Sequence, residues 1–223
     1  MPRALALLLV LAGCGPSVSQ HDGQALFTAL NCRSCHRVGT EGNLSAPDLT
    51  YVGFRKTPQW LDLWLKDPQA WKPGTTMPNP HLTDATRQAV VQYLSTLKGQ
   101  GFAGAKPWDD PSVKNDPTLR GHVIFGRAGC IACHGKDGEG GNPNNNVPGG
   151  KIPALTTVSQ TYTKAELLKK IKNGSKPAKA DPNGPEPMIF MPPWGQVLSD
   201  DEIASVAAYV LSLKPSGAAS PGF

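Results

Sequence analysis

"CRSCH" at residues 32–36 returns as "CIACH" at 130–134, and the reading of that pattern decides the fold. The two occurrences, 98 positions apart, use four of the five cysteines in the chain. The likeness spreads outward from them. "DGQALFTALNCRSCH" (22–36) lies in register with "RGHVIFGRAGCIACH" (120–134), pairing Gly23 with Gly121 and Phe27 with Phe125. Further on, "PDLTYV" (47–52) pairs with "PALTTV" (153–158) at an offset of 106, and at that offset Thr57, Leu61 and Leu65 pair with Thr163, Leu167 and Ile171. Lastly "MPNPHLTDATRQAVVQYLSTLK" (77–98) pairs with "MPPWGQVLSDDEIASVAAYVLSLK" (191–214). The copies differ mainly by two loops added to the second, "KDGEGGNPNNNVPGG" and "KPAKADPNGPEP".

A period near 100 residues marks a duplicated domain, since solenoid repeats are much shorter. The boundaries expected are 19–98 for the first domain and 117–214 for the second. Between them, 99–116 is rich in Gly, Pro and Asp and reads as a linker. The end, 215–223, reads as a disordered tail.

Each copy reads as helical. "GQALFTAL" and "GHVIFGRA" are short helices running into the motif. "TPQWLDLWLKD" and "TKAELLKKIKN" are middle helices with Thr57 and Thr163 as N-caps. The last helix is clearest: behind Ser199, Ile203, Val206, Ala207, Val210 and Leu213 form one apolar stripe, and behind Thr83, Val90, Tyr93, Leu94 and Leu97 do the same. With 24 Gly and 22 Pro and no credible strand pair, the expectation is an all-α fold of short helices joined by loops. A domain of this size with few large apolar residues buries little surface by itself, so something else must fill the middle of each copy.

Three chemistries use Cys-x-x-Cys. Zinc would need two further soft or imidazole ligands per copy, and no cysteines are spare. A redox dithiol wants a βαβ setting, which is missing. Cys-x-x-Cys-His is the pattern for covalent attachment of c-type haem. Cys32 and Cys35, and Cys130 and Cys133, would then form thioethers, with both sulfurs of a pair on one face of a helical turn. His36 and His134 would bind the iron. With Cys and His each near two per cent of the chain, one accidental match is expected about once in several hundred sequences of this length, and two far less often. For the opposite side of the iron, Met77 and Met191 hold equivalent places, each followed by Pro and each just before the last helix of its copy. His81 and Met188 are the rivals, but His81 has no counterpart in the second copy and Met188 has no following Pro. His21 and His122 are expected on the surface.

The order Cys-x-x-Cys-His, then Met-Pro, then an amphipathic helix carrying Tyr resembles class I cytochrome c, present twice. The resemblance implies that the first and last helices of each copy cross, with Phe27 against Tyr93 and Phe125 against Tyr209, and that Trp194 lines a haem crevice. It implies two covalent haem c groups and outer-sphere electron transfer rather than catalysis at an open metal. The expected role is that of a two-haem carrier passing single electrons between redox partners, a donor and an acceptor such as a quinol-oxidising complex or a terminal oxidase. One alternative is a lipid-anchored haem subunit of a larger quinol-oxidising or dehydrogenase complex. A further one is a two-haem peroxidase or sulfur-oxidising enzyme, against which two equivalent Met ligands argue.

The start of the chain is of another kind. "MPRALALLLVLAGC" has one positive charge and a short apolar run ending in Leu-Ala-Gly-Cys. This is too short to span a bilayer and reads as an export signal. It resembles the lipobox of bacterial lipoproteins, which implies removal of 1–13 and lipid on Cys14, with 14–18 as the start of a tether. The protein is then expected outside the cytoplasm, held to a membrane through Cys14. The formal charge is +5. Six lysines fall between Lys164 and Lys179, either a solvated helix face or a surface for an acidic partner or anionic lipid. No aromatic residues interleave with them, so nucleic acid is excluded as a partner.

Overall fold

The computed structural model describes residues 20–215. The expected signal, the Cys14 lipidation site and the tether lie outside the described residues, as do 216–223. The first copy comprises α1 (Gln20–Ala29), α2 (Val52–Arg55), α3 (Pro58–Lys66), α4 (Pro68–Trp71) and α5 (Asp84–Thr96). The connecting segment carries α6 (Pro111–Lys114). The second copy comprises α7 (Pro117–Arg127), α8 (Ile131–His134), α9 (Val158–Thr161), α10 (Lys164–Asn173) and α11 (Asp200–Ser212). One two-residue hairpin, Arg37–Val38 against Glu41–Gly42, is the only sheet among the described residues. It was not foreseen, because two residues a side are too few for an alternating pattern to register.

Helix starts follow local chemistry. Thr57, Thr83, Thr163 and Ser199 each accept a hydrogen bond from the backbone N–H three residues on. At Thr163 and Ser199 the side chains of Glu166 and Glu202 return the bond, closing a capping box. Three short or leading helices open on Asp-Pro: Asp67, Asp110 and Asp116 cap while the next Pro takes the first helical position, where its missing N–H costs nothing.

The first and last helices of each copy cross at a glycine. A Cβ on Gly23 would lie 2.1 Å from the Ala89 carbonyl oxygen, and one on Gly121 would lie 1.9 Å from that of Ser205. Only a bare Cα allows such backbone approach. One turn further along, Phe27 packs on Tyr93 (ring centroids 5.5 Å) and Phe125 on Tyr209 (5.2 Å), as the resemblance implied.

The two copies are not separate beads. Asp48 of the first, its side chain wholly buried, accepts from Arg127 of the second at 2.7 Å. Trp194 of the second copy sits between Tyr51 and Phe54 of the first, at 5.9 and 5.3 Å. In exchange, Ile189 is buried in the first copy's core, with Cys133, Ile152 and Met188 packed against it. The stretch whose composition reads as a linker is packed as well. Phe102 and Trp108 are buried, and Trp108 Nε1 and Lys106 Nζ both donate to Glu202 on α11, at 2.6 and 2.7 Å. Gly, Pro and Asp there supply turns and caps rather than slack.

Candidate functional site

Each motif is a single helical turn. Cys35 N–H and His36 N–H donate to the Cys32 carbonyl at 3.3 and 3.0 Å, and Cys133 and His134 donate to Cys130 at 3.1 and 3.0 Å. The turn is entered in both copies through a left-handed residue, Asn31 (φ 56°) and Gly129 (φ 83°). Glycine takes that conformation freely, and Asn is the side chain that tolerates it best. All four motif cysteines are free thiols.

The histidines are oriented by the next stretch of repeat. His36 Nδ1 lies 2.8 Å from the Pro47 carbonyl oxygen. A carbonyl only accepts, so Nδ1 carries the proton and Nε2 keeps its lone pair for a metal. His134 Nδ1 stands near the equivalent Pro153 carbonyl without a hydrogen bond of normal geometry. Burial pushes the His134 imidazole down to about 4, so it is neutral and can ligate. Burial also lowers His36. It raises the thiols of Cys32 and Cys130, the latter to about 12.

In the second copy Cys130, Cys133, His134 and Met191 line one cavity of about 350 Å³ whose remaining wall is mainly apolar, with Trp194 on it. Met188 is not part of that wall and packs instead against the first copy's core. In the first copy, Cys32 and Met77 pack against one core together with Trp64. Met77 Sδ accepts a hydrogen bond from Trp64 Nε1 at 2.9 Å. His81 is exposed, with φ of 48°, and His122 is exposed beside Tyr209. The side chain of His21 falls outside the described residues.

These surroundings fit haem. In the second copy free thiols, a neutral imidazole and a thioether converge on one mainly apolar cavity. Among the described residues, two buried cations near it form no ion pair with a carboxylate. Arg55, 4 % exposed, comes from the first copy yet lines the second copy's cavity. Its NH2 donates to the Asp48 carbonyl at 3.0 Å, but its Nε has no partner. Lys56, 6 % exposed, lies over the Trp60 ring at 4.1 Å, and Trp60 Nε1 is unpartnered too. Burying a charge without a counter-charge costs several kcal/mol, and the haem propionates are carboxylates of the kind these donors lack. Sequence reading missed Arg55, Lys56, Trp64 and the prolyl carbonyls. Only the last left a trace, the Pro-x-Leu-Thr repeated at 47 and 153.

The family model described as Cytochrome c matches residues 20–98 and 119–214. The chain is 28% identical over 217 residues to the cbb3-type cytochrome c oxidase subunit CcoP of Cereibacter sphaeroides, covering 86% of this chain and 60% of that protein. It is 38% identical over 92 residues to cytochrome c-551 of Pseudomonas aeruginosa, covering 41% of this chain and 75% of that protein. It is 31% identical over 87 residues to cytochrome c oxidase subunit 2 of Alkalihalophilus pseudofirmus, covering 35% of this chain and 25% of that protein. The chain therefore spans about a quarter of the cytochrome c oxidase subunit 2 proteins it matches and less than two thirds of CcoP. The helical fold, the repeated motif and a family match over both copies lead to one assignment: this chain belongs to the cytochrome c family, as two class I domains in tandem, the family whose cofactor is covalently bound haem c and whose work is electron transfer.

Proposed function

We propose that the chain binds two haem c groups, one per copy, and relays single electrons between a donor and an acceptor in a respiratory chain. The observation that carries this is the meeting of Cys130, Cys133, His134 and Met191 around one cavity, with the same residue types in the same order in the first copy. Bound haem supplies an iron that alternates between Fe(II) and Fe(III). The rest falls to the chain. Cys32, Cys35, Cys130 and Cys133 would hold the porphyrin through thioethers, and His36 and His134 would offer Nε2, and Met77 and Met191 a thioether, to its iron. A thioether donates weakly, which favours Fe(II), and the apolar wall excludes water, which acts in the same sense. Held by both a His and a Met from the chain, the iron would have no position to offer a substrate.

Similarity to oxidase subunits supports a partner in a terminal-oxidase assembly. It also favours a second reading, that the chain is itself a subunit of such a complex, because the likeness to CcoP runs through both copies. The lipid on Cys14 would hold it at a membrane. No helix among the described residues is long and apolar enough to cross one. The lysines of α10 and the loop after it are mostly exposed and suit an acidic partner face.

The test is a haem count by mass and by visible spectrum, joined to a redox titration. Two haems per chain and two midpoints are expected, and a mass lacking either haem would refute the reading. Solubilisation in mild detergent separates a free carrier, which elutes alone, from a subunit, which elutes with its complex. Cys14→Ser should release the protein from membranes, and persistent attachment would remove the lipid from the account.

A further inference from the structure

The two motif histidines sit in cradles of unequal build. In the first copy the segments 35–39 and 46–50 run side by side. Ala46 N–H donates to the Cys35 carbonyl at 3.0 Å, Leu49 N–H to that of Arg37 at 2.8 Å, and Gly39 N–H to Thr50 Oγ1 at 2.7 Å. Onto this pair of segments the second copy lays one guanidinium. Arg127, the last residue of α7, donates from Nε to Asp48 Oδ2 at 2.7 Å and from NH2 to the Gly39 carbonyl at 2.9 Å. Gly39 follows His36 by one short turn, and Asp48 directly follows Pro47, whose carbonyl receives the His36 Nδ1 proton at 2.8 Å. The other Asp48 oxygen accepts from Thr50 N–H at 2.8 Å. The guanidinium is itself fixed, 5.3 Å from the Phe102 ring centroid, and the Asp48 side chain is wholly buried. In the second copy the counterpart of Asp48 is Ala154, and the counterpart of Arg127 in the first copy is Ala29. Neither can form such a pair. There, His134 Nδ1 makes no hydrogen bond of normal geometry with the Pro153 carbonyl.

We infer that Arg127 of the second copy is a positioning residue for His36 of the first, stapling together the two segments that hold the Pro47 carbonyl on Nδ1. The inference rests on the ligand assignment proposed above. A guanidinium presents its donors in one rigid plane, so two bonds from it fix the distance between their acceptors. Here those acceptors stand on the segment that carries the histidine and on the segment that carries its prolyl partner. The staple crosses the interface, so the docking of the second copy determines how firmly the first copy's imidazole is held. Pairing at Nδ1 raises the basicity of Nε2 toward a metal, which favours Fe(III). A loosened cradle therefore favours Fe(II).

The experiment is hydrogen exchange of the histidine Nδ1–H protons, followed by nuclear magnetic resonance in the reduced, haem-loaded protein. Arg127→Lys keeps the charge but loses the fork, and Arg127→Met loses both. A neutral hydrogen bond is worth about a factor of five in an equilibrium. Exchange at His36 should therefore quicken about two- to fivefold in the Lys variant and at least fivefold in the Met variant, while His134 stays unchanged. The first midpoint, identified as the one that moves in Met77→His, is read in the Lys variant, where the charge is kept. It should rise by about 20 to 40 mV, the same two- to fivefold at 59 mV per tenfold for one electron, with the second midpoint in place. Should Arg127→Met fail to fold, the Lys variant carries both readings.

Exchange at His36 that stays at the wild-type rate in the Lys variant overturns the inference. So does equal quickening at His36 and His134, which is general loosening, and so does an unmoved first midpoint. The ligand assignment has its own signature, since a histidine ring bound beneath a porphyrin has its carbon-bound protons shifted far upfield by the ring current. If the His36 ring lacks that shift, the ligand assignment fails, and the role of Arg127 falls with it for that separate reason.

Discussion

Replacing Gly121 by Ala should destabilise the second copy, whereas the same change five residues away on the same helix should not. A Cβ at Gly121 would stand 1.9 Å from the Ser205 carbonyl oxygen and 2.9 Å from Tyr209 Cβ, against 3.4 Å for an ordinary contact. The shortfall is about 1.5 Å, and the first obstacle is helix backbone, which cannot rotate aside. Overpacking of this kind costs about 1–3 kcal/mol and occasionally more. The gain from Ala over Gly in a helix is about 1 kcal/mol. With a rigid obstacle the cost sits at the upper end, and a net loss of about 2 kcal/mol is expected. For a domain of fewer than 100 residues that is about 8–16 °C in melting temperature. Gly126, also on α7, has nothing within 4 Å of the Cβ it would gain, so Gly126→Ala should raise the midpoint by a few degrees. Because α7 ends just before Cys130, forcing it off α11 also moves the thiols relative to Met191, and haem loading of the second copy should fall. The assay is thermal melting of the haem-loaded protein followed by circular dichroism, with the haem-to-protein ratio recorded. If Gly121→Ala melts at or above Gly126→Ala, the helices do not cross where the contact geometry puts them.

Three further expectations concern ligands, the interface and pH. Met191→Ala should lower the potential of one haem and admit carbon monoxide to it, read in the visible spectrum; an unaltered spectrum under carbon monoxide would unseat the ligand. Arg127→Met leaves the Asp48 carboxylate buried with Thr50 as its one remaining donor among the described residues, and breaking a buried pair costs about 3–5 kcal/mol. Denaturant titration should show that loss, and a change below about 1 kcal/mol would mean that the copies do not rely on this contact. For Glu202, burial alone would raise the carboxyl, but Lys106, Trp108 and the Ser199 N–H outweigh it and hold it below its ordinary value of 4.5. The stability it supplies is then full above pH 4.5 and lost as pH falls through its lowered value. Glu202→Gln should flatten the acid limb of a stability profile, and an unchanged limb would place the acid sensitivity elsewhere.

What could be read in the sequence was what local physics determines. The capping residues Thr57, Thr83, Thr163 and Ser199 and the apolar stripe from Ile203 to Val210 need only neighbours within a few turns. The motif residues stand out because the covalent attachment proposed for them demands fixed spacing. The proposed ligands Met77 and Met191 stand out in the sequence only because the duplication shows them twice. Trp64 could not be found that way, since its counterpart is Lys170 and its partner sulfur is 13 residues distant. Nor could the Asp48–Arg127 pair, 79 residues apart, or the ordering of 99–116, where Trp108 finds its acceptor 94 residues on. Such contacts depend on how two finished domains meet, and periodicity holds no record of that.

The places where the copies agree and disagree divide by role. Positions kept in both copies build the scaffold: the crossing glycines 23 and 121, the aromatic pairs above them, the caps, and the prolyl carbonyls beside His36 and His134. Positions that differ surround the ligands. Trp64 answers to Lys170, and Arg55, which reaches the second copy's cavity, answers to Thr161. A relay of two equal sites would leave an electron shared evenly between them. In the proposed relay unequal surroundings would give it a preferred site, with the proposed ligand sets left alike. The packing between copies serves the same end. Electron transfer falls steeply with distance, so a pair of haems on a slack tether would spend much of its time too far apart. Trp194 lodged between Tyr51 and Phe54, together with a segment pinned to α11 through Trp108, would hold the two proposed haems at a constant separation. Duplication provides two sites. In the proposed relay, divergence around them and the interface between the copies would make them an ordered pair.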